Sequence, residues 1–238
     1  MAELGVVDAL FVYPVKSFAG IPLDDTKIGW HGLADDRRFA FLKVEDRSGL
    51  PWLSARDVPG LLGYRTQPYA RLNSSVLIER PCGAPVRLDS PELLMELEAA
   101  AGCKLQLVQL WRGAFDSMPV SILTTASIAS LGVLLGREIE TERFRPNIVV
   151  RASESGGFPE EKWVHRSILI GKGAEKLMLR VNRKDQRCHI VNVDPRTRAE
   201  DTTVLSVIVH QRKNQFGIYG SVEFPGPIRL GDELRVRD

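Results

Sequence analysis

The stretch SILIGKGAEKLMLRV, residues 167–181, decides the fold. Two short segments rich in Ile, Leu, Met and Val flank a Gly-Lys-Gly turn, which is the pattern of a β-hairpin. Similar segments follow at residues 188–193, 204–210, 217–224 and 233–236, and one precedes it at residues 148–151. A series of short strands at close spacing predicts a barrel-like, closed sheet.

The first half of the chain mixes strands with a helix. Further β-like segments occur at residues 6–13, 38–44, 75–79 and 104–110. Ser90 is a candidate N-cap, Pro91 fits the first helical position and Gly102 fits the stop, which predicts a helix over residues 91–101. Gly136 ends a second predicted helix, over residues 125–135. The chain is therefore predicted to be mostly β with a few helices, in two closely packed parts, residues 1–115 and 116–238.

Composition excludes several classes of protein. Lys plus Arg is 32 and Asp plus Glu is 30 in 238 residues, and a formal charge of +2 gives no reason to expect nucleic acid as a partner. Three cysteines form neither a disulfide framework nor a C-x-x-C zinc pair.

Neither a signal peptide nor a membrane span is indicated, which predicts a cytoplasmic chain without a membrane partner. Dinucleotide, Walker, G-x-S-x-G and H-E-x-x-H motifs are also absent from the sequence.

Cys188 is the first candidate for chemistry. Four basic side chains lie within the eight positions before it, and a histidine follows it. Such surroundings favour the thiolate, the form that binds metals or attacks electrophiles. On a predicted strand, Cys188 would share one face with Ile190 and Asn192. The alternative is a buried structural cysteine beside a solvated basic face.

Two segments in the first half carry candidate anion-binding side chains. Lys16 and Ser17 follow the first predicted strand, where a lysine and a hydroxyl can hold a phosphate. Arg37 follows Asp36, and the carboxylate could orient the arginine as an anion clamp. The alternatives are a solvated Lys-Ser turn and an ordinary charged loop.

Two segments in the second half add polar candidates. Arg145 and Asn147 flank Pro146, which blocks a helix and fixes the start of a strand. Their fork of donors and their amide suit a flat heterocycle with an anionic tail, although an ordinary strand start would look the same. Asp194 follows the predicted Cys188 strand, where it either caps a turn or points back towards the site.

Five segments occur in a fixed order along the chain: YPVKS at 13–17, DRRF at 36–39, FRPN at 144–147, RC with VDP at 187–188 and 193–195, and PGPIRLGD at 225–232. Taken together, they resemble the MOSC family with its N-terminal β-barrel partner domain. The group includes the mitochondrial amidoxime-reducing component and bacterial YcbX-like proteins, and the resemblance covers nearly the whole chain. Arg198 departs from the family's pattern, because a glycine often stands at that position.

The resemblance implies a molybdenum cofactor, a pyranopterin whose dithiolene holds the metal and whose tail ends in a phosphate. Cys188 would be the thiolate ligand of molybdenum, a soft ligand for that metal, and Cys188 and Asp194 the catalytic pair. The residues implied to bind the cofactor are Lys16, Ser17, Arg37, Asp116, Thr124, Arg145, Asn147, Arg187 and Tyr219.

The implied activity is a molybdenum-dependent oxidoreductase that reduces N-hydroxylated compounds such as amidoximes, hydroxylamines or N-hydroxylated bases. Without an iron–sulfur motif or a ferredoxin-like domain in the sequence, electrons are expected from a separate ferredoxin or flavin/iron–sulfur reductase. The alternatives are a carrier of the cofactor, or of a sulfur on Cys188, without its own turnover, and a cofactor-free interaction domain.

Overall fold

The computed structural model describes residues 2–67, 76–110, 118–172 and 176–237. Among these residues the strands are β1 (Glu3–Val12), β2 (Ile21–Leu23), β3 (Asp25–Gly29), β4 (Gly32–Leu33), β5 (Phe39–Lys43), β6 (Arg65–Thr66), β7 (Leu77–Glu79), β8 (Val86–Arg87), β9 (Leu105–Gln109), β10 (Val120–Thr124), β11 (Ile148–Ala152), β12 (Ser167–Ile170), β13 (Leu177–Gln186), β14 (Gln215–Phe224), β15 (Gly226–Arg229) and β16 (Glu233–Arg237). The α-helices are α1 (Pro91–Ala101), α2 (Thr125–Leu135) and α3 (Thr203–Arg212).

Seven strands close into a barrel, in the order β11-β10-β14-β13-β12-β16-β1, with β1 pairing back onto β11. β10 and β11 run parallel, and the other neighbouring strands of the barrel run antiparallel. Alternate side chains of these strands, among them Leu10, Ile122, Ile148 and Ile218, point inward and form the barrel core. The predicted mostly β, closed-sheet architecture is confirmed.

A second core lies beside the barrel. Phe18, Phe41, Leu93 and Leu97 form part of it, and Val193 from the second half of the chain joins them. The predicted boundary at residues 115 and 116 lies outside the described residues. β1, which the prediction places in the first part, is a barrel strand, so the barrel takes strands from both halves of the chain.

The caps of the first two helices bear out their prediction. The Ser90 hydroxyl accepts a hydrogen bond from the backbone N–H of Leu93 at 3.2 Å, and Gly102 ends α1 with a φ of 68°. Gly136 ends α2 with a φ of 69°. Both left-handed stops are conformations that a residue without Cβ adopts readily.

Two segments that were predicted as strands have other structures. Residues 204–210 belong to α3, because Val204 and Ile208, one turn apart, bury the same helix face. Asn192 supports this helix, since its Oδ1 accepts the backbone N–H of Leu205 at 2.9 Å. Residues 189–192 form a 3-10 turn with Cys188 as its N-cap, so Cys188, Ile190 and Asn192 do not share a strand face.

Candidate functional site

Tyr13 lies at the centre of a polar cluster at the end of β1. Its ring is stacked by two guanidinium groups, with the Cζ atoms of Arg145 at 4.2 Å and Arg37 at 5.1 Å from the ring centroid. Its hydroxyl donates to the carbonyl of Pro146 at 3.2 Å. Burial raises the pKa of Tyr13, against the opposing effect of the two arginines. The phenol therefore stays neutral and acts as a platform that spaces two cations.

Asp36 and Asn147 fix Arg37 within this cluster. The Arg37 guanidinium donates to the Asp36 carboxylate and lies 3.3 Å from Oδ1 of Asn147 and 3.2 Å from the carbonyl oxygen of Arg145. Asp36 also accepts the backbone N–H of Tyr13 at 2.7 Å. The predicted orientation of Arg37 by Asp36 is confirmed, and both side chains are buried. Segments from both halves of the chain meet here.

Three of the predicted binding residues have strained backbones. Ser17, Arg37 and Arg145 have φ values of 66°, 48° and 51°, in the left-handed region that non-glycine residues rarely adopt. Each such residue costs about 1 kcal/mol or more, which the surrounding contacts must offset. Arg145 makes one of these contacts, since its Nη1 donates to the carbonyl of Phe18, the residue after Ser17, at 2.7 Å. Strain shared by three candidate binding residues is typical of a functional site.

Cys188 lies at the surface, where β13 gives way to the 3-10 turn. The alternative of a buried structural cysteine is therefore wrong. Val193 at the end of this turn packs in the same core as Val15 and Phe18, which flank Lys16 and Ser17 in sequence. The turn that follows the thiol thus shares a hydrophobic core with the segment that carries the predicted phosphate-binding residues.

Arg187 joins the Cys188 segment to the arginine cluster. Its Nε donates to the carbonyl of Phe216 at 2.6 Å, its Nη1 donates to the carbonyl of Phe144 at 2.8 Å, and its Nη2 lies 2.8 Å from Oδ2 of Asp185. Phe144 immediately precedes Arg145. All three guanidinium nitrogens contact protein atoms, so Arg187 is placed to position Cys188. Its direct contact with a cofactor stays a prediction.

Arg143 forms a second link between the same two segments. Its guanidinium donates to the carbonyl of Asn192 at 3.1 Å and to Oδ2 of Asp194 at 2.8 Å, and it also contacts Glu140 at 2.6 Å. Oδ1 of Asp194 accepts the backbone N–H groups of the following turn at 2.7 and 2.8 Å. Burial raises the pKa of Asp194, but these backbone bonds and Arg143 outweigh it, so the net pKa lies below its ordinary value. These contacts favour turn capping, and the catalytic role of Asp194 stays a prediction.

Three other predicted residues have different outcomes. Tyr219 pairs across β14 and β10 with Ser121, whose backbone N–H donates to Oδ1 of Asn147 at 3.0 Å, so Tyr219 lies beside the cluster. Thr124 is fully buried as the N-cap of α2, and its hydroxyl donates to Glu160 at 2.6 Å. That hydroxyl serves the helix and Glu160, and its cofactor contact stays a prediction. Asp116 lies outside the described residues.

We use the name junction site for six of the predicted residues: Lys16, Ser17, Arg37, Arg145, Asn147 and Cys188. Arg187 links the segment of the exposed Cys188 thiol to the segment of Arg145, and a thiol together with cations fits a soft metal on an anionic organic cofactor. Within the described ranges, no group of three or more His, Cys, Asp or Glu side chains could hold a metal ion.

Sequence reasoning missed the supporting residues Tyr13, Arg143 and Ser121. Tyr13 lies in the YPVKS segment at 13–17, and its position directly before Pro14, at the end of a strand, was the available signal. Arg143 has one local partner, Glu140, but the partners that link it to the Cys188 segment lie about 50 residues later, at positions 192 and 194. Ser121 is 2% exposed and its hydroxyl has no hydrogen-bond partner among the described residues, although it lies beside Asn147.

Comparisons with known proteins show the family of the chain. The sequence matches the MOSC domain over residues 111–235 and the MOSC N-terminal beta barrel domain over residues 4–120. The chain therefore belongs to the MOSC family. Within the described ranges, no helix has the length and apolar character needed to cross a membrane.

Curated relatives cover nearly the whole chain. Mitochondrial amidoxime-reducing component 1 from Mus musculus is 32% identical, over 98% of this chain and 83% of the relative. Mitochondrial amidoxime reducing component 2 from Macaca fascicularis is 26% identical, over 98% and 84%. Among solved structures, the YUAD protein from Bacillus subtilis shares the fold with a TM-score of 0.52 at 15% identity, over 98% of this chain and 95% of that one.

The backbone of Arg198 is left-handed, so the glycine that the resemblance leads one to expect at this position would fit it. Arg198 has a φ of 64°, a conformation that glycine adopts without the Cβ clash. The residue closes the turn that Asp194 caps, because its backbone N–H donates to the Asp194 carbonyl at 2.8 Å. The departure from the family's pattern therefore leaves the turn intact.

Proposed function

We propose that the junction site holds a molybdenum cofactor and that the chain is an N-reductive enzyme. The observation that carries the proposal is an exposed Cys188 thiol whose neighbour Arg187 is anchored beside the Arg145 segment. When bound, the cofactor would supply two-electron redox chemistry at molybdenum. The names of the relatives, which are amidoxime-reducing components, point to the same chemistry.

Different residues of the chain would bind different parts of the cofactor. Cys188 would give the metal its protein thiolate. Lys16, Ser17 and Arg37 would hold the anionic phosphate end, with Lys16 as a point charge and Arg37 as a fork of donors already oriented by Asp36. Arg145 and Asn147 would face the pterin. Because the Tyr13 stack and the hydrogen bonds of Asn147 fix these groups in advance, binding would require little reorganisation.

The proposed substrates are small N-hydroxylated compounds. Reduction of an amidoxime to an amidine consumes two electrons and two protons, breaks the N–O bond and releases the oxygen as water. The electrons would come from a separate ferredoxin or flavin/iron–sulfur reductase. We place this activity in the cytoplasm, with no nucleic acid or membrane as a partner.

The test is expression in a host that makes the cofactor, followed by elemental analysis and turnover of benzamidoxime with an artificial electron donor. We expect close to one molybdenum per chain and measurable benzamidine. Cys188→Ser should lose turnover and metal, while Cys82→Ser, which alters another exposed cysteine, should keep both. Full activity of Cys188→Ser would refute the ligand assignment. Molybdenum without turnover would favour the carrier alternative.

A further inference from the structure

A row of polar side chains crosses the outside of the barrel far from the junction site. Ser167 of β12 pairs with Arg180 of β13 on one side and with Arg237 of β16 on the other. Residues opposite each other on neighbouring strands project from the same face. Two guanidinium groups therefore flank one serine hydroxyl, and Nη1 of Arg180 lies 3.4 Å from Oγ of Ser167.

The next row on the same face is apolar. Leu169 pairs with Met178, and Met178 pairs with Phe224, whose side chain is 57% exposed. Two adjoining cavities follow these rows: the apolar row lines one of about 760 Å³, and the arginine row lines one of about 550 Å³. Both volumes lie in the range of small-molecule sites.

Positive charge is concentrated in this groove, which we define as the two cavities together. Five cations line it: Lys27, Arg166, Lys176, Arg180 and Arg237. Among the described lining residues, Glu223 is the only carboxylate. Within the described part of the chain, no ion pair joins Glu223 or another carboxylate to any of these five cations. The whole chain carries a formal charge of only +2, so this face attracts anions more strongly than the protein average.

The groove and the junction site lie at opposite ends of β13. Arg180 is near the start of this strand, whereas Arg187 follows its last residue. At about 3.3 Å per residue, the two arginines are roughly 20 Å apart along the strand. A ligand in the groove would thus not occupy the cofactor-binding cluster.

We propose that the groove binds a phosphate ester with an apolar or aromatic body. The phosphate would lie between Arg180 and Arg237, whose guanidinium groups present forks of donors to anionic oxygens, with Ser167 as a third donor. The body of the ligand would rest on Met178 and the exposed ring of Phe224. Nucleotides and phospholipid headgroups share this chemistry.

The test is calorimetric titration of the purified chain with AMP, with adenosine and with inorganic phosphate, together with co-sedimentation on phosphatidylcholine vesicles with and without phosphatidic acid. We expect binding of AMP or of the phosphatidic acid vesicles that weakens with salt, and much weaker binding of adenosine. The Arg180→Ala/Arg237→Ala double variant should lose at least tenfold in affinity. The matched Arg47→Ala/Arg56→Ala variant, which removes two exposed arginines elsewhere, should not change it.

Each outcome decides the proposal. AMP binding that depends on Arg180 and Arg237 supports a nucleotide, and vesicle binding alone with the same dependence supports a lipid headgroup. Equal binding of AMP and adenosine, unchanged binding by the double variant, or no binding of any probe overturns it. Phe224→Ala should weaken AMP more than inorganic phosphate, and an equal effect on both would remove the apolar half of the proposal. The double variant should keep its benzamidoxime turnover, because the junction site is untouched.

Discussion

Replacement of Arg143 by methionine tests whether this residue holds the segment that follows Cys188. The Arg143 side chain is 3% exposed and contacts Glu140 and Asp194 at 2.6 and 2.8 Å, and it also donates to the carbonyl of Asn192. Methionine keeps most of the volume but removes the Arg143 donors from two carboxylates and a buried carbonyl, while Oδ1 of Asp194 keeps its two backbone N–H donors. Breaking a buried ion pair by removing one partner costs about 3–5 kcal/mol. For a chain of this size that corresponds to a fall in Tm of about 6–20 °C.

Urea unfolding of wild type and Arg143→Met measures this loss. Arg137→Met is the matched control, because Arg137 is 37% exposed and pairs with a single carboxylate, so its loss should cost no more than about 1 kcal/mol. Hydrogen exchange under native conditions adds a local measurement. Amides of residues 188–199 should exchange faster in Arg143→Lys, which keeps the charge but loses the fork of donors. A loss below about 1 kcal/mol in Arg143→Met, with unchanged exchange, would refute the reasoning.

Two further substitutions probe buried groups around the site. Burial raises the pKa of Glu160, so the folded chain keeps this proton at pH values where the unfolded side chain, whose pKa is near 4.5, has lost it. The stability of Glu160→Gln relative to wild type should therefore increase as pH rises above 4.5. Urea unfolding from acid to neutral pH measures this difference in stability, and a difference that stays constant would contradict the prediction. Gly217→Ala places a Cβ 2.9 Å from Nη2 of Arg187 at a φ of +83°, and should cost about 1–3 kcal/mol in urea unfolding. Gly220→Ala is its control, since the nearest atom there is 3.3 Å away, and equal losses in both variants would argue against crowding of Arg187.

Local signals in the sequence predict the elements that are locally determined. Ser90, Gly102 and Gly136 mark helix ends because capping and a left-handed stop depend on the residue itself and its near neighbours. The pairing of β12 with β13 follows from two neighbouring apolar segments, and its register pairs Ser167 with Arg180 in a continuous ladder. Gly173 of the predicted turn lies outside the described residues. The closed sheet then follows from the number and spacing of the strands.

Long-range contacts decide the two segments that the sequence alone predicts wrongly. The run from Val204 to Val209 has β-branched residues that favour a strand, but the side chain of Asn192 and the hydrophobic cluster around Phe216 select a helix. The Cys188 segment leaves the strand because its carbonyls accept hydrogen bonds from Arg143, a residue from another part of the chain. Local propensity carries no information about these partners.

The difference between local signals and long-range contacts also explains which parts of the junction site can be predicted from the sequence. Cys188, Arg145 and Lys16 stand out by residue type, because a thiol or a cation can bind a metal or an anion in many settings. Their arrangement depends on Tyr13 and Arg143, which contribute a stacking platform and a set of hydrogen bonds and need not touch a ligand. Strained left-handed residues can persist only where such contacts fix the backbone. The strain at Arg37 and Arg145 is therefore sustained in part by Tyr13, which need not touch a ligand, and a substitution of Tyr13 should disturb the site as much as a substitution of the binding residues.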